Sequence, residues 1–185
     1  MNADVRRVRR WTLEFVAHGD DDSDAEPGLM PSEDVIDWRQ PVSVDLFLRL
    51  YTRVGSQWHW YDRRLMPPER LQVLLEDPNR HVGVLRTADG VEAGLVELYR
   101  HCDNETEIVY FGLYPEHIGR GLGRRLFRQV VRTARRQISD VGRLWLTTCE
   151  WDSPTALPFY QRMGFRIVDE DVREQPVPED FRADR

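Results

Sequence analysis

A run of glycines wedged between an apolar strand and an amphipathic helix constrains this chain more than any other feature. Residues 106–114 (TEIVYFGLY) are almost continuously apolar, the pattern of a strand buried on both faces near the middle of a sheet. Gly119-Arg120-Gly121-Leu122-Gly123 follows and leads straight into a predicted helix over 122–138. There Leu122, Leu126, Val130 and Ala134 share a face with Phe127, Val131 and Ile138, while Arg124, Arg128, Arg132 and Arg136 form another stripe. Alternating glycines let backbone amides turn outward with no Cβ in the way. The first amides of a helix lack internal partners and carry partial positive charge. Together they make an anion cradle suited to phosphate or pyrophosphate. A dinucleotide fingerprint would need a third glycine where Arg124 stands, so that ligand class does not fit.

Around this unit the pattern reads as one mixed α/β domain with helices on both faces of a sheet. Strands are predicted at 8–17, 35–40, 81–86, 92–100, 106–114, 143–150 and 164–171, with Ala88-Asp89-Gly90 closing a hairpin. Helices are predicted at 43–54 behind a Ser43 cap, at 67–76 behind prolines, and at 154–163. The chain divides into an N-terminal strand and acidic linker (1–34), the main domain (35–172) and a polar tail (173–185). The acidic stretch Asp20–Asp34 and the tail both hold prolines and lack apolar periodicity.

Composition narrows the chemistry. All 26 basic residues are arginine, so the lysine of a P-loop and the amine of a Schiff-base or pyridoxal enzyme are absent. A net charge of −6 argues against a general nucleic-acid binder. No apolar run is long enough for a membrane helix, and Arg6–Arg10 precede no apolar core of a signal peptide. Cys102 and Cys149 offer neither a disulfide framework nor zinc spacing, so no metal is expected and a cytoplasmic setting is.

The loop at Ile118–Gly123 resembles the acetyl-coenzyme-A loop of the GCN5-related N-acetyltransferase (GNAT) superfamily, Gln/Arg-x-x-Gly-x-Gly/Ala between a strand and a helix. Ile118 departs from the Gln/Arg position. Downstream, Ala156, Phe159-Tyr160 and Gly164-Phe165 resemble the family's Ala-x-x-x-Tyr-x-x-x-Gly-Phe signature, with Ser153 where Asn is usual. The resemblance covers about residues 35–170. It implies the acyl-CoA N-acyltransferase fold, a central, mostly antiparallel sheet, and acetyl transfer from acetyl-CoA to an amine. The non-catalytic alternative is an acyl-CoA sensor of the same fold.

Acetyl transfer needs a base for the amine, a donor for the thioester oxygen and an acid for the leaving thiolate. The resemblance assigns Glu107 as base and Tyr160 as acid; Glu97, on the preceding strand, is the runner-up base, acting through water. The resemblance also assigns coenzyme contacts to Phe111, Leu113, Gly119, Arg120, Gly121, Leu122, Gly123 and Arg124. On a structural reading Glu107 is a solvated strand-end acid, Tyr160 a core aromatic and the arginine stripe a wet helix face. Cys149 reads as a buried small hydrophobe, whereas His101 and His117 flank the strand. The loop between the first two helices commonly walls the acceptor pocket in this superfamily. Here it holds Trp58, Trp60, Tyr61 and Asp62, whose rings and carboxylate suit a cationic amine of a small molecule or peptide, or fill a helix corner. Neither a nucleic-acid nor a membrane partner is expected, and a homodimer is compatible with the sequence.

Overall fold

The structure, a computed structural model, describes residues 4–16, 35–102, 104–136 and 142–177. In order these form β1 (Asp4–Phe15), β2 (Val35–Arg39), α1 (Val44–Gly55), α2 (Asp62–Leu65), α3 (Pro68–Leu75), β3 (Arg80–Arg86), β4 (Glu92–Cys102), β5 (Glu105–Leu113), a 3-10 turn (Pro115–His117), α4 (Leu122–Arg135), β6 (Arg143–Cys149), α5 (Ala156–Arg162) and β7 (Phe165–Val177). The acidic stretch 20–34, the predicted helix end beyond 136 and the tail from 178 lie outside the described residues.

Local chemistry sets the helix starts. The Ser43 hydroxyl accepts the Leu46 amide at 3.3 Å and caps α1, whose first turn carries Asp45 and last turn Arg53. Pro68 opens α3, where its missing N–H has no helical role. Pro158 is tolerated inside α5 for the same reason: the helix starts at Ala156, so the proline sits in the first turn.

The strands form one sheet in the order β2-β3-β4-β5-β6-β1-β7. Only β5 and β6 run parallel; every other pair is antiparallel. The apolar run read as a central strand is indeed the fourth of seven. The N-terminal strand is not an appendage to the domain. It threads between β6 and β7, pairing Leu13 with Leu146 and Val8 with Arg173. β7 also runs beyond the expected end at Asp171: it reaches Val177, which pairs with Asp4, so residues 173–177, expected in the tail, are strand.

Two apolar layers sandwich the sheet. On one face Leu126, Phe127 and Val130 of α4 pack with Leu13, Val96, Ile108, Leu146 and Phe165, and α5 adds Phe159 and Tyr160. On the other, Phe47, Leu50 and Tyr51 of α1 and Leu71 and Leu75 of α3 pack with Val82, Val84 and Leu95. Each such fully buried side chain contributes about 1.5–3 kcal/mol of transfer free energy.

Candidate active site

The site begins where β5 leaves its neighbour. Parallel pairing with β6 ends at Ile108↔Leu146, and Val109 is an extra residue between the pairs Leu98↔Ile108 and Glu97↔Tyr110. This bulge re-aims the strand. Beyond it β5 and β6 have no paired residues, and a cleft of about 1000 Å³ lies along the divergence. Val109 to Leu113 line one wall and Thr147 to Cys149 the other.

The cleft runs to the glycine loop. Gly119 and Gly121 have φ of +81° and +77°, a left-handed conformation that L side chains rarely adopt. A Cβ at Gly119 would meet nothing within 4 Å, so backbone shape and not crowding demands glycine there. Gly121 is the residue before α4, and no side chain caps the helix start. Ile118, Gly119, Gly121, Gly123 and Arg124 line the cleft, as do Phe111 and Leu113. Arg120 is exposed off the cleft wall, and the Leu122 side chain turns into the core, leaving only its backbone available to a ligand. The uncapped amides and open glycine surface fit a diphosphate.

Tyr160 of α5 and Glu107 of β5 line this same cleft. The Tyr160 ring packs 5.4 Å from that of Phe127, and burial, then the charge of Asp152, pushes its hydroxyl well above the usual phenol range. The phenol therefore keeps its proton at neutral pH. Glu107 accepts a hydrogen bond from, or donates one to, His101 Nε2 at 2.8 Å. The His101 ring stacks on Trp145 with centroids 5.5 Å apart. His117, by contrast, does not line the cleft.

Glu97 is not at the site. It does not line the cleft and is fully buried, where one oxygen receives both Arg63 and Arg80. Burial pushes its carboxyl above the ordinary value, opposed by the two arginines. Cys149 lines the cleft with its thiol pushed up to about 11 by burial, then by Asp152, too high for a thiolate nucleophile near neutrality.

The aromatic loop divides between two jobs. Trp58, His59, Trp60 and Asp62 line the cleft, and His59 meets Trp151 with centroids 4.6 Å apart. The Trp60 indole donates to Asp152 Oδ1 at 3.1 Å and packs 4.8 Å from the Tyr110 ring. Asp152 is further anchored by the Thr148 hydroxyl at 2.8 Å and the Cys149 amide at 3.0 Å. The Asp62 carboxyl lies above its ordinary range because neighbouring side chains displace water, with Arg63 opposing. Tyr61 departs from expectation: it is buried off the cleft and donates its hydroxyl to the Pro176 carbonyl at 2.8 Å. It fastens the loop between α1 and α2 to β7. Sequence reasoning missed Val8, Arg10, Arg173 and Gln175, which line the cleft from β1 and β7. Alternate polar residues at 173 and 175 were the available signal, hidden inside an apparent tail.

Residues 33–165 match the model of the Acetyltransferase (GNAT) family. The chain belongs to that family. No curated protein sequence matches it. Among solved structures, an acetyltransferase from Thermus thermophilus is similar at 21% identity and TM-score 0.56, over 77% of this chain and 97% of that one. A GNAT family acetyltransferase from Elizabethkingia anophelis, with acetyl-CoA bound, is similar at 20% identity and TM-score 0.54, over 75% and 80%. A putative GNAT acetyltransferase from Novosphingobium aromaticivorans is similar at 18% identity and TM-score 0.55, with 92% of this chain matching 65% of that one. At these identities the likeness is one of fold, and the GNAT chain here has the mixed sheet of those structures. Among its described residues no helix is long and apolar enough to cross a membrane, and no three metal-ligating side chains gather.

Proposed function

We propose that this protein moves an acetyl group from acetyl-CoA to a primary amine of a small molecule or peptide, by direct transfer in a ternary complex. The observation that carries the reading is the divergence of β5 from β6 after Ile108, which opens a cleft ending at the uncapped start of α4. The Elizabethkingia relative's bound acetyl-CoA supports that choice of donor.

Acetyl-CoA would supply the activated acyl group as a thioester. The loop amides from Gly119 to Gly123 would hold its diphosphate, and the freed edge of β5 would take the pantetheine amides. Glu107 would accept the proton the amine sheds as its C–N bond forms. Tyr160 would hand its proton to the sulfur as the C–S bond breaks. His101, hydrogen-bonded to Glu107 and more exposed, offers that proton a route to solvent. The high Cys149 thiol argues for direct attack by the amine and against an acyl-cysteine intermediate.

The test is coenzyme A release from acetyl-CoA across a broad panel of primary amines. Release that depends on an amine, with a matching acetylated product, is the expected result. Coenzyme A binding with no release across the panel overturns the catalytic reading.

A further inference from the structure

The acceptor end of the cleft has a rim that the transfer chemistry does not use. Val8 and Arg10 of β1 and Arg173 and Gln175 of β7 line it, all on one face of the sheet by strand alternation and by the pairs Val8↔Arg173 and Arg10↔Asp171. These polar groups differ in how fully they are engaged. Arg10 gives Nε and Nη2 to the two oxygens of Asp171, at 3.2 and 3.0 Å. Arg173 gives Asp171 only its Nε, at 2.9 Å. Its two terminal amines have no partner among the described residues. The Gln175 side-chain oxygen sits 3.3 Å from the Tyr61 hydroxyl, which leaves its amide nitrogen as the free end. Two arginines around one aspartate leave one net positive charge. Beside Asp171 the rim therefore offers the outer Arg173 amines and the Gln175 amide as donors, with a net positive charge.

The position of that rim fixes a length. From Leu146, where β5 departs, the register leads across to Leu13, back five residues to Val8, and across again to Arg173. At ~4.8 Å between strands and ~3.3 Å per residue, the two Cα positions lie about 19 Å apart. A gap of that order is one that a short extended peptide spans and a single small amine does not. Trp58, His59 and Trp151 line the same cleft, a wall for an apolar or aromatic side chain, as does Asp62, a partner for the incoming ammonium.

We infer that the acceptor is a short peptide whose free C-terminal carboxylate is held by Arg173 and Gln175 while its N-terminal amine meets the thioester. The inference rests on the transferase reading and narrows it to a substrate class. An arginine fork with its two outer amines open matches a carboxylate in geometry and charge.

The test compares the tripeptide Phe-Gly-Gly with its C-terminal amide. Binding of each to the coenzyme-A-saturated protein is measured by calorimetry, and coenzyme A release is followed with acetyl-CoA. The acid is expected to bind roughly tenfold more tightly than the amide, with the same preference in kcat/KM. Arg173→Gln should bring that ratio close to one, and Arg173→Lys should restore part of it. Thermal melting of both variants reports folding separately. A ratio near one in the parent protein, an unchanged ratio in Arg173→Gln, or failure of both peptides to bind overturns the inference. Acid-selective binding with no coenzyme A release from any amine refutes the transferase reading and leaves the carboxylate subsite standing.

Discussion

Replacing Gly121 separates two demands that the cradle makes on one position. Its φ of +77° lies in a region that costs an ordinary L-residue about 1–2 kcal/mol. An added Cβ would have Arg125 Nη1 as its nearest contact, at 3.7 Å, so room is not the issue. Gly121→Ala thus isolates backbone strain. Its melting temperature should fall by roughly 2–8 °C, while coenzyme A affinity drops only slightly. Gly121→Asp adds a charge at the same point. Aspartate visits left-handed backbone more readily than alanine, so this variant should be no less stable than Gly121→Ala. Its carboxylate would face the diphosphate at about 5 Å. At an effective dielectric of ~20, one such pair of like charges costs about 3 kcal/mol, on the order of 100-fold in Kd. Calorimetric titration of both variants with coenzyme A, at low and high salt, makes the comparison. High salt should recover part of the loss in Gly121→Asp and little in Gly121→Ala. Equal affinities for the two variants would refute a diphosphate site at this loop.

Three further outcomes follow from the same geometry. Glu107→Gln should lower kcat by about 10²-fold or more and flatten the acid limb of the pH–rate profile; a limb that persists would mean another base. Tyr160→Phe should lower kcat by a similar factor with the KM for acetyl-CoA little changed, because the lost hydroxyl gives a proton and holds no phosphate; an unchanged kcat would remove Tyr160 from the chemistry. Arg49 gives two hydrogen bonds to Glu92, at 2.6 and 3.1 Å, and this contact above all holds the Glu92 carboxyl below its ordinary range. A depressed folded-state carboxyl contributes stability above its unfolded pKa and loses it as pH falls through the folded one. Arg49→Met should therefore lose up to about 1 kcal/mol at neutral pH and nothing once Glu92 is protonated; urea melts across that range check the convergence.

The cradle was legible because its requirements are local. A backbone that turns left-handed twice before a helix needs glycine at 119 and 121, and the sequence shows it. The central place of β5 was equally legible from its unbroken apolar run. The bulge at Val109 was not, because an apolar run looks the same with or without an extra residue; only the register against β4 reveals it. β7 beyond Asp171 escaped notice because it is an edge strand, mostly exposed and paired only with β1. Its charges and Pro176 suit an edge and also look like a tail. Tyr61 and Trp60 are neighbours in one aromatic run, yet one is buried against Pro176 and the other lines the cleft. That division depends on β7 and could not be read from the loop.

A crystal structure of the protein with acetyl-CoA would show directly where the coenzyme sits. It should place diphosphate oxygens about 3 Å from the backbone nitrogens between Gly119 and Gly123, the pantetheine between β5 and β6, and the thioester beside Val109 to Phe111 with the Tyr160 hydroxyl near sulfur. A coenzyme bound elsewhere, or a saturated crystal with this cleft still empty, would contradict it.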